Sequence, residues 1–141
     1  MSFTDAIKAC FAKYADFNGR AKRPEFWWFH LFAIVGSVLL GLVHSVLPSI
    51  FSLATLLPSL AVTSRRLHDI NKSGWFQLWW TLGFIINCIF AAISLPASHG
   101  SLSFLMILVL LVSLACLVMF IYFLSKPSDS DDNQYGPPAA N

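Results

Sequence analysis

Long stretches without a single charge dominate the pattern of this chain. No Asp, Glu, Lys or Arg falls within 26–64 or within 73–125, and both stretches are rich in Leu, Ile, Val, Phe and Ala. A helix crosses a bilayer core of about 30 Å with roughly 20 residues, so each stretch is too long for one span and about right for two. Turn-forming residues divide each near its middle: Leu47-Pro48-Ser49 in the first, Pro96-Ala97-Ser98-His99-Gly100 in the second. The pattern predicts two helical hairpins, with spans at 26–47, 49–64, 75–95 and 102–124. The second span is the shortest and carries Pro58 in its middle. A re-entrant segment is the rival reading there, but it would put Arg65 and Arg66 on the face opposite the other cations.

Before the first span, Phe3, Ile7, Cys10, Phe11 and Tyr14 recur at helical spacing, with Asp5, Lys8 and Lys13 off the stripe. The spacing predicts a short amphipathic helix ending before the Asn18-Gly19 turn. Its stripe either lies among lipid headgroups or packs on the ends of the spans. The expected organisation is a cytoplasmic segment at 1–24, a four-span membrane domain at 25–125 and a cytoplasmic tail at 126–141. The fold class is all-α: an integral membrane bundle of four transmembrane helices with a short N-terminal amphipathic helix. The early segment lacks the apolar core of a signal peptide, so the first span is expected to act as an uncleaved anchor.

Composition agrees with the pattern. The 141 residues are 57% hydrophobic and only 11% charged, with 13 Phe and 5 Trp. That balance argues against a soluble enzyme, a disordered tail or a nucleic-acid-binding module. Charge then supplies the sidedness. Hairpins return to the side they left, so all nine Lys and Arg share one face and the opposite loops carry none. The positive-inside bias makes that face the cytoplasm and places both termini there. Three cysteines, in no paired spacing, suggest neither a disulfide framework nor zinc.

Within the spans the signals are mostly for packing. Ala33, Ser37, Gly41 and Ser45 form a strip of small side chains on the first span, which lets a neighbouring helix approach closely. Ser52, Thr55, Ser59 and Thr63 make a hydroxyl stripe on the second, able to mend the hydrogen bond that Pro58 removes or, on a sharper reading, to line a polar conduit. Asn87, with Gly83 and Ala91 on its face of the third span, is expected to face protein as interhelical glue. No carboxylate or cation lies deep in a span, which weighs against an ion-coupled transporter.

Two polar blocks are richer than orientation requires. Asp16-Phe-Asn-Gly-Arg-Ala-Lys-Arg-Pro-Glu-Phe-Trp-Trp-Phe29 leads into the first span, with Pro24 suited to a first helical turn and Glu25 to the helix N-terminus. Ser64-Arg-Arg-Leu-His-Asp-Ile-Asn-Lys-Ser-Gly-Trp75 joins the hairpins, placing Asp69 four residues after Arg65 and three after Arg66. These blocks resemble the two signature segments of the YhaH-like bacterial inner-membrane family, a domain of unknown function. Asn133-Gln-Tyr-Gly136 resembles that family's terminal Asn-x-Tyr-Gly element. Asn71 stands where the family commonly has Gly, Phe76 replaces a second Trp, and Ser128-Asp-Ser-Asp-Asp132 replaces a Pro/Gly-rich approach to the tail. The resemblance implies a multi-pass protein of the bacterial inner membrane and no established reaction.

The expected role is non-enzymatic and cofactor-free. Arg20, Arg23, Arg65, Arg66, His68, Asp69 and Trp75 are the candidate contacts for anionic lipid headgroups or a membrane-protein partner, which includes a second copy of the chain. The same arginines could instead pair with Asp16, Glu25 and Asp69 and simply close the bundle; guanidinium recognises phosphate and carboxylate alike. A small oligomeric transporter or channel is the alternative function. An adjacent His68-Asp69 pair points about 100° apart on a helix, poor geometry for catalysis. The tail spacing Asp129, Asp131, Asn133 opens like a calcium loop but lacks the Gly and the closing Glu. Thiol labelling of single-cysteine variants is expected to find residues 68 and 99 in opposite compartments. Labelling from the same side would overturn the hairpin topology.

Overall fold

A computed structural model of the chain describes residues 1–83, 85–86, 89 and 104–139. Regular structure there is helical: α1 (Phe3–Ala12), α2 (Arg23–Val43), α3 (Leu47–His68), a 3-10 turn at Gly74–Phe76, α4 (described at 77–83, 85–86 and 89) and α5 (Phe104–Ser125). The chain forms two compact units, Met1–Gly74 with Pro127–Asn141, and Trp75–Lys126. Among the described residues three helices are long and apolar enough to cross a membrane: Arg23–Val43, Leu47–His68 and Ile107–Ser125. Much of the span expected at 75–95, with Asn87, and the outer turn at 96–100 lie outside the described residues.

Each helix start has a local cause. The Ser2 hydroxyl accepts from the Asp5 amide at 3.2 Å while the Asp5 carboxylate accepts from the Ser2 amide, a capping box that satisfies two orphan donors of α1. The Ser2 hydroxyl bond also holds the Asp5 carboxyl below its ordinary pKa. Pro24 and Pro48 sit in the first turns of α2 and α3, where a missing N–H costs nothing. Pro48 thus belongs to α3, and the chain reverses at 44–46, earlier than the 47–49 turn expected.

α3 runs unbroken through Pro58, which settles its form as a continuous helix of 22 residues. Pro58 has no N–H for the carbonyl of Ala54, four residues earlier. The Tyr14 hydroxyl donates to that oxygen at 2.6 Å. The repair therefore comes from the segment after α1 and not from the hydroxyl stripe: Thr55 donates to the Phe51 carbonyl at 2.9 Å and Thr63 to that of Ser59 at 2.7 Å, both within α3. Two hydroxyls of the stripe thus serve their own helix.

α1 packs on α2 by burying Ala6 and Cys10, while Phe11 meets Phe29 and Phe32 edge to face at 5.7 and 6.1 Å. Phe3 and Phe11 of the expected stripe stay about two-fifths exposed (42% and 39%), so the helix buries only part of it. Between α2 and α3 the decisive small residue is Gly36. A Cβ there would stand 2.7 Å from the Phe51 ring, so any side chain would force that ring to move. Ala33 and Ser37 are half-buried, and a Cβ on exposed Gly41 would lie 3.3 Å from Pro48. Beyond Phe29 the outer face of α2 is apolar and open: Ile34, Val38 and Leu42 are 63%, 60% and 80% exposed. Such a surface belongs in lipid.

Tyr14→Phe should cost about 1 kcal/mol, the net worth of one hydrogen bond. In a Pro58→Ala background, which restores a backbone amide at that position, the same substitution should be neutral. Thermal unfolding in detergent of the four proteins in this cycle measures the difference.

Candidate functional site

The polar end of the α2–α3 hairpin is built by three stretches distant in sequence: residues 16–25, residues 64–74 and the tail 127–139. Two turns bring the first two together. Gly19 (φ 79°) redirects the chain after α1, and the Ala21 amide donates to the Arg65 carbonyl at 3.0 Å. α3 ends in a left-handed cap: Asn71 has φ 55°, with Lys72 N–H bonded to the Leu67 carbonyl at 2.9 Å and Asn71 N–H to that of His68 at 3.0 Å. Asparagine tolerates this conformation better than other side-chain-bearing residues, which is why Asn71 can stand where glycine is common. Gly74 then passes over α3 so closely that a Cβ would lie 1.9 Å from Ser64 Oγ.

Arg20 is the hub. Its side chain is 0% exposed. Nε donates to Asp69 Oδ1 at 2.9 Å; one Nη donates to the carbonyls of Asp131 (2.8 Å) and Gly136 (3.3 Å); the other donates to those of Asp69 (3.4 Å) and Asp129. All five N–H donors of the guanidinium are thereby satisfied. Asp69 offers its second oxygen to Arg66, so one buried carboxylate serves two buried cations. Arg65, one residue earlier, points elsewhere, as successive helical residues must. It pairs with Glu25 Oε1 at 2.6 Å and not with Asp69, although the i, i+4 spacing suggested the latter. Arg65 Nε and its other Nη have no hydrogen-bond partner among the described residues. Cys10 Sγ approaches the same Glu25 oxygen at 4.0 Å. Burial first, then the Glu25 charge, push the Cys10 thiol up to about 12, so it stays protonated and inert.

The tail docks on this end of the hairpin. The Asp129 amide donates to the Asp69 carbonyl at 3.0 Å, and Asn133 Nδ2 donates to the His68 carbonyl at 2.9 Å. Asn133 Oδ1 accepts from the Tyr135 amide at 2.9 Å, and Asn133 and Gly136 exchange backbone bonds across a tight turn in which Gly136 has φ 109°. That turn lays the Tyr135 ring flat on His68, centroids 3.8 Å apart and planes within 5°. His68 Nδ1 lies 3.1 Å from the Gly19 carbonyl, which assigns the proton to Nδ1. The acidic approach at 128–132 thus docks through its backbone carbonyls.

Of the sequence-derived candidates, Arg20, Arg65, Arg66, His68 and Asp69 are brought to this one end, buried or half-buried. Arg23 is exposed, and Trp75, 78% exposed, opens the second unit. His68 and Asp69 serve different partners. Among the described residues no three His, Cys, Asp or Glu side chains are grouped to hold a metal. Sequence reasoning missed Cys10 and the tail carbonyls; a main-chain oxygen carries no residue signature, whereas the Asn-x-Tyr-Gly element did mark where the tail turns.

The family model described as a protein of unknown function (DUF805) matches residues 14–137. The inner membrane protein YhaI of Escherichia coli (strain K12) is 44% identical over 79 residues, covering 51% of this chain and 67% of that protein. The inner membrane protein YhaH of the same strain is 36% identical over 83 residues, covering 51% of this chain and 69% of its own length. No solved structure matches the chain at a significant level.

Asp69→Asn would leave Arg20 and Arg66 buried without their shared carboxylate, a loss of about 3–5 kcal/mol by the usual cost of breaking a buried pair. Limited proteolysis is expected to cut the variant within 127–139 under conditions that spare the parent protein.

Proposed function

The chain belongs to the DUF805 family of proteins of unknown function, and on that premise we propose that it is a non-enzymatic, four-span inner-membrane protein with a closed cytoplasmic cap. The cap's basic, aromatic rim contacts anionic lipid headgroups. The topology is supported by parity. The tail after α5 shares Arg20 with the segment before α2 and with the end of α3, so all three lie on one side of the membrane. From Asp69 back to Asp129 the chain must cross an even number of times. With α5 read as one crossing, parity supports a second between Asp69 and α5, as the four-span reading requires. The positive-inside bias makes the shared side the cytoplasm.

The observation that carries the function is how the cations are sorted. Arg20, Arg65 and Arg66 turn inward onto carboxylates, with side chains 0% exposed. Lys8, Lys13, Arg23 and Lys72 turn outward, as do Trp27 and Trp28 at the start of α2. The buried arginines have a structural role: they close the cap. Lysine charge beside interfacial Trp is what attracts and orients lipid headgroups, at about 1 kcal/mol for each cation near an anionic surface. α1 presents its exposed Phe3 and Phe11 beside Lys8 and Lys13, suited to the headgroup boundary.

The test uses the reconstituted protein and its Trp fluorescence, quenched by brominated phosphatidylglycerol or by brominated phosphatidylcholine. The parent protein should prefer the anionic lipid severalfold. Replacing Lys8, Lys13, Arg23 and Lys72 together by Gln should bring the two lipids to parity with little change in thermal stability. An undiminished preference in that variant would sink the proposal.

A further inference from the structure

The unit Trp75–Lys126 has an apolar groove unrelated to the arginine cluster. It encloses about 400 Å³ between Phe76, Trp79 and Trp80 of the 3-10 turn and α4 and Ala115, Cys116 and Met119 of α5. The spacing of its walls is set by packing. Phe76 meets Phe123 edge to face at 5.2 Å and Trp80 meets Phe120 at 5.3 Å. Farther along, Gly83 lets α4 and α5 come together: a Cβ there would stand 3.2 Å from Cys116 Sγ. Trp79 forms an open wall, 76% exposed.

The geometry points to a seat for one phospholipid molecule, with an acyl chain in this groove and its phosphate against Lys126. Charge and register argue for that occupant. Ala115, Cys116, Met119 and Lys126 fall on one stripe of α5 and its continuation, at 100° per residue. Lys126 therefore stands over the groove, seven residues or about 10 Å beyond Met119, the step from hydrocarbon to headgroup depth. Its ammonium is held there, 4.9 Å from the Tyr122 ring centroid and 5.1 Å from that of Phe123. An apolar slot with a fixed cation at its polar end matches a phospholipid along its length. A second copy docking by the same face about a two-fold axis along the membrane normal would instead bring two Lys126 together.

The inference rests on the four-span reading only in taking the Lys126 end of α5 as the membrane surface. The test is native mass spectrometry of the full chain in mild detergent, titrated with dioleoyl phosphatidylglycerol or with dioleoylglycerol, which lacks the phosphate. One phosphatidylglycerol should bind the parent protein. Lys126→Gln should weaken it about fivefold, the effect of one cation at an anionic surface, and leave dioleoylglycerol unaffected. Met119→Trp, which fills the groove, should weaken both lipids tenfold or more; Trp79→Ala, which opens an exposed wall, should weaken both without altering thermal stability. The proposal is overturned if both groove variants retain lipid as the parent does, or if Lys126→Gln leaves phosphatidylglycerol binding unchanged. Groove variants that lose the bound lipid yet keep the quenching preference, or the reverse, separate this seat from the lysine rim.

Discussion

A carboxylate buried between two buried guanidinium groups has to be reached from both sides at once, or it is left as an unpaired charge in a poorly solvating environment. Asp69 is that carboxylate, with Arg20 on one oxygen and Arg66 on the other. The arrangement obliges residues separated by much of the chain to meet. Arg20 comes from the segment before α2, Asp69 from the end of α3, and the carbonyls that complete the Arg20 donor set come from the tail after α5. Three buried arginines face two buried carboxylates, Glu25 and Asp69, so the cluster carries excess positive charge. Main-chain carbonyl dipoles offset part of it at Arg20. Arg65 is matched one to one by Glu25, although two of its nitrogens have no hydrogen-bond partner among the described residues.

That cluster explains why the polar end of the hairpin is closed while its apolar end stays bare. α1, the tail and the left-handed cap at Asn71 are layered over residues 61–70, where burial is nearly complete. The outer faces of α2 and α3 toward the 44–46 turn remain exposed and apolar. A soluble protein could not sustain that contrast; a bilayer makes it favourable, because the exposed face meets hydrocarbon and the buried charges sit beneath a polar lid. The headgroup contact proposed above draws on the same division, since it turns the rim cations outward and the three buried arginines inward.

Helix α3 shows how one defect is accommodated at a distance. Pro58 frees the Ala54 carbonyl, and Tyr14, forty residues away in sequence, occupies it. The hydroxyls that lie nearest in sequence were the obvious candidates, but Thr55 and Thr63 are each drawn to the carbonyl four residues before them. A backbone-directed bond within the helix needs no tertiary partner, so each hydroxyl is satisfied locally. The Tyr14 bond joins the early segment to the hairpin and contributes to holding α1 in place.

The amino-acid order alone determined what periodicity, charge spacing and local backbone chemistry can encode: apolar spans expected at 26–47 and 102–124, which α2 and α5 largely match, the proline-led start of α2, the Asn-Gly turn, and the grouping of cations into blocks. The resemblance to the family's terminal element also marked Asn133, Tyr135 and Gly136. Only the tertiary structure decided who pairs with whom. Arg65 chose Glu25 over the nearer-in-sequence Asp69 because consecutive helical side chains diverge by about 100°, and only the neighbour that packs in each direction can answer. Gly36 became the helix-contact glycine because the Phe51 ring lies there. The tail meets Arg20 through carbonyl oxygens that every residue possesses. Such choices depend on where distant stretches arrive in space, and a linear pattern does not record that.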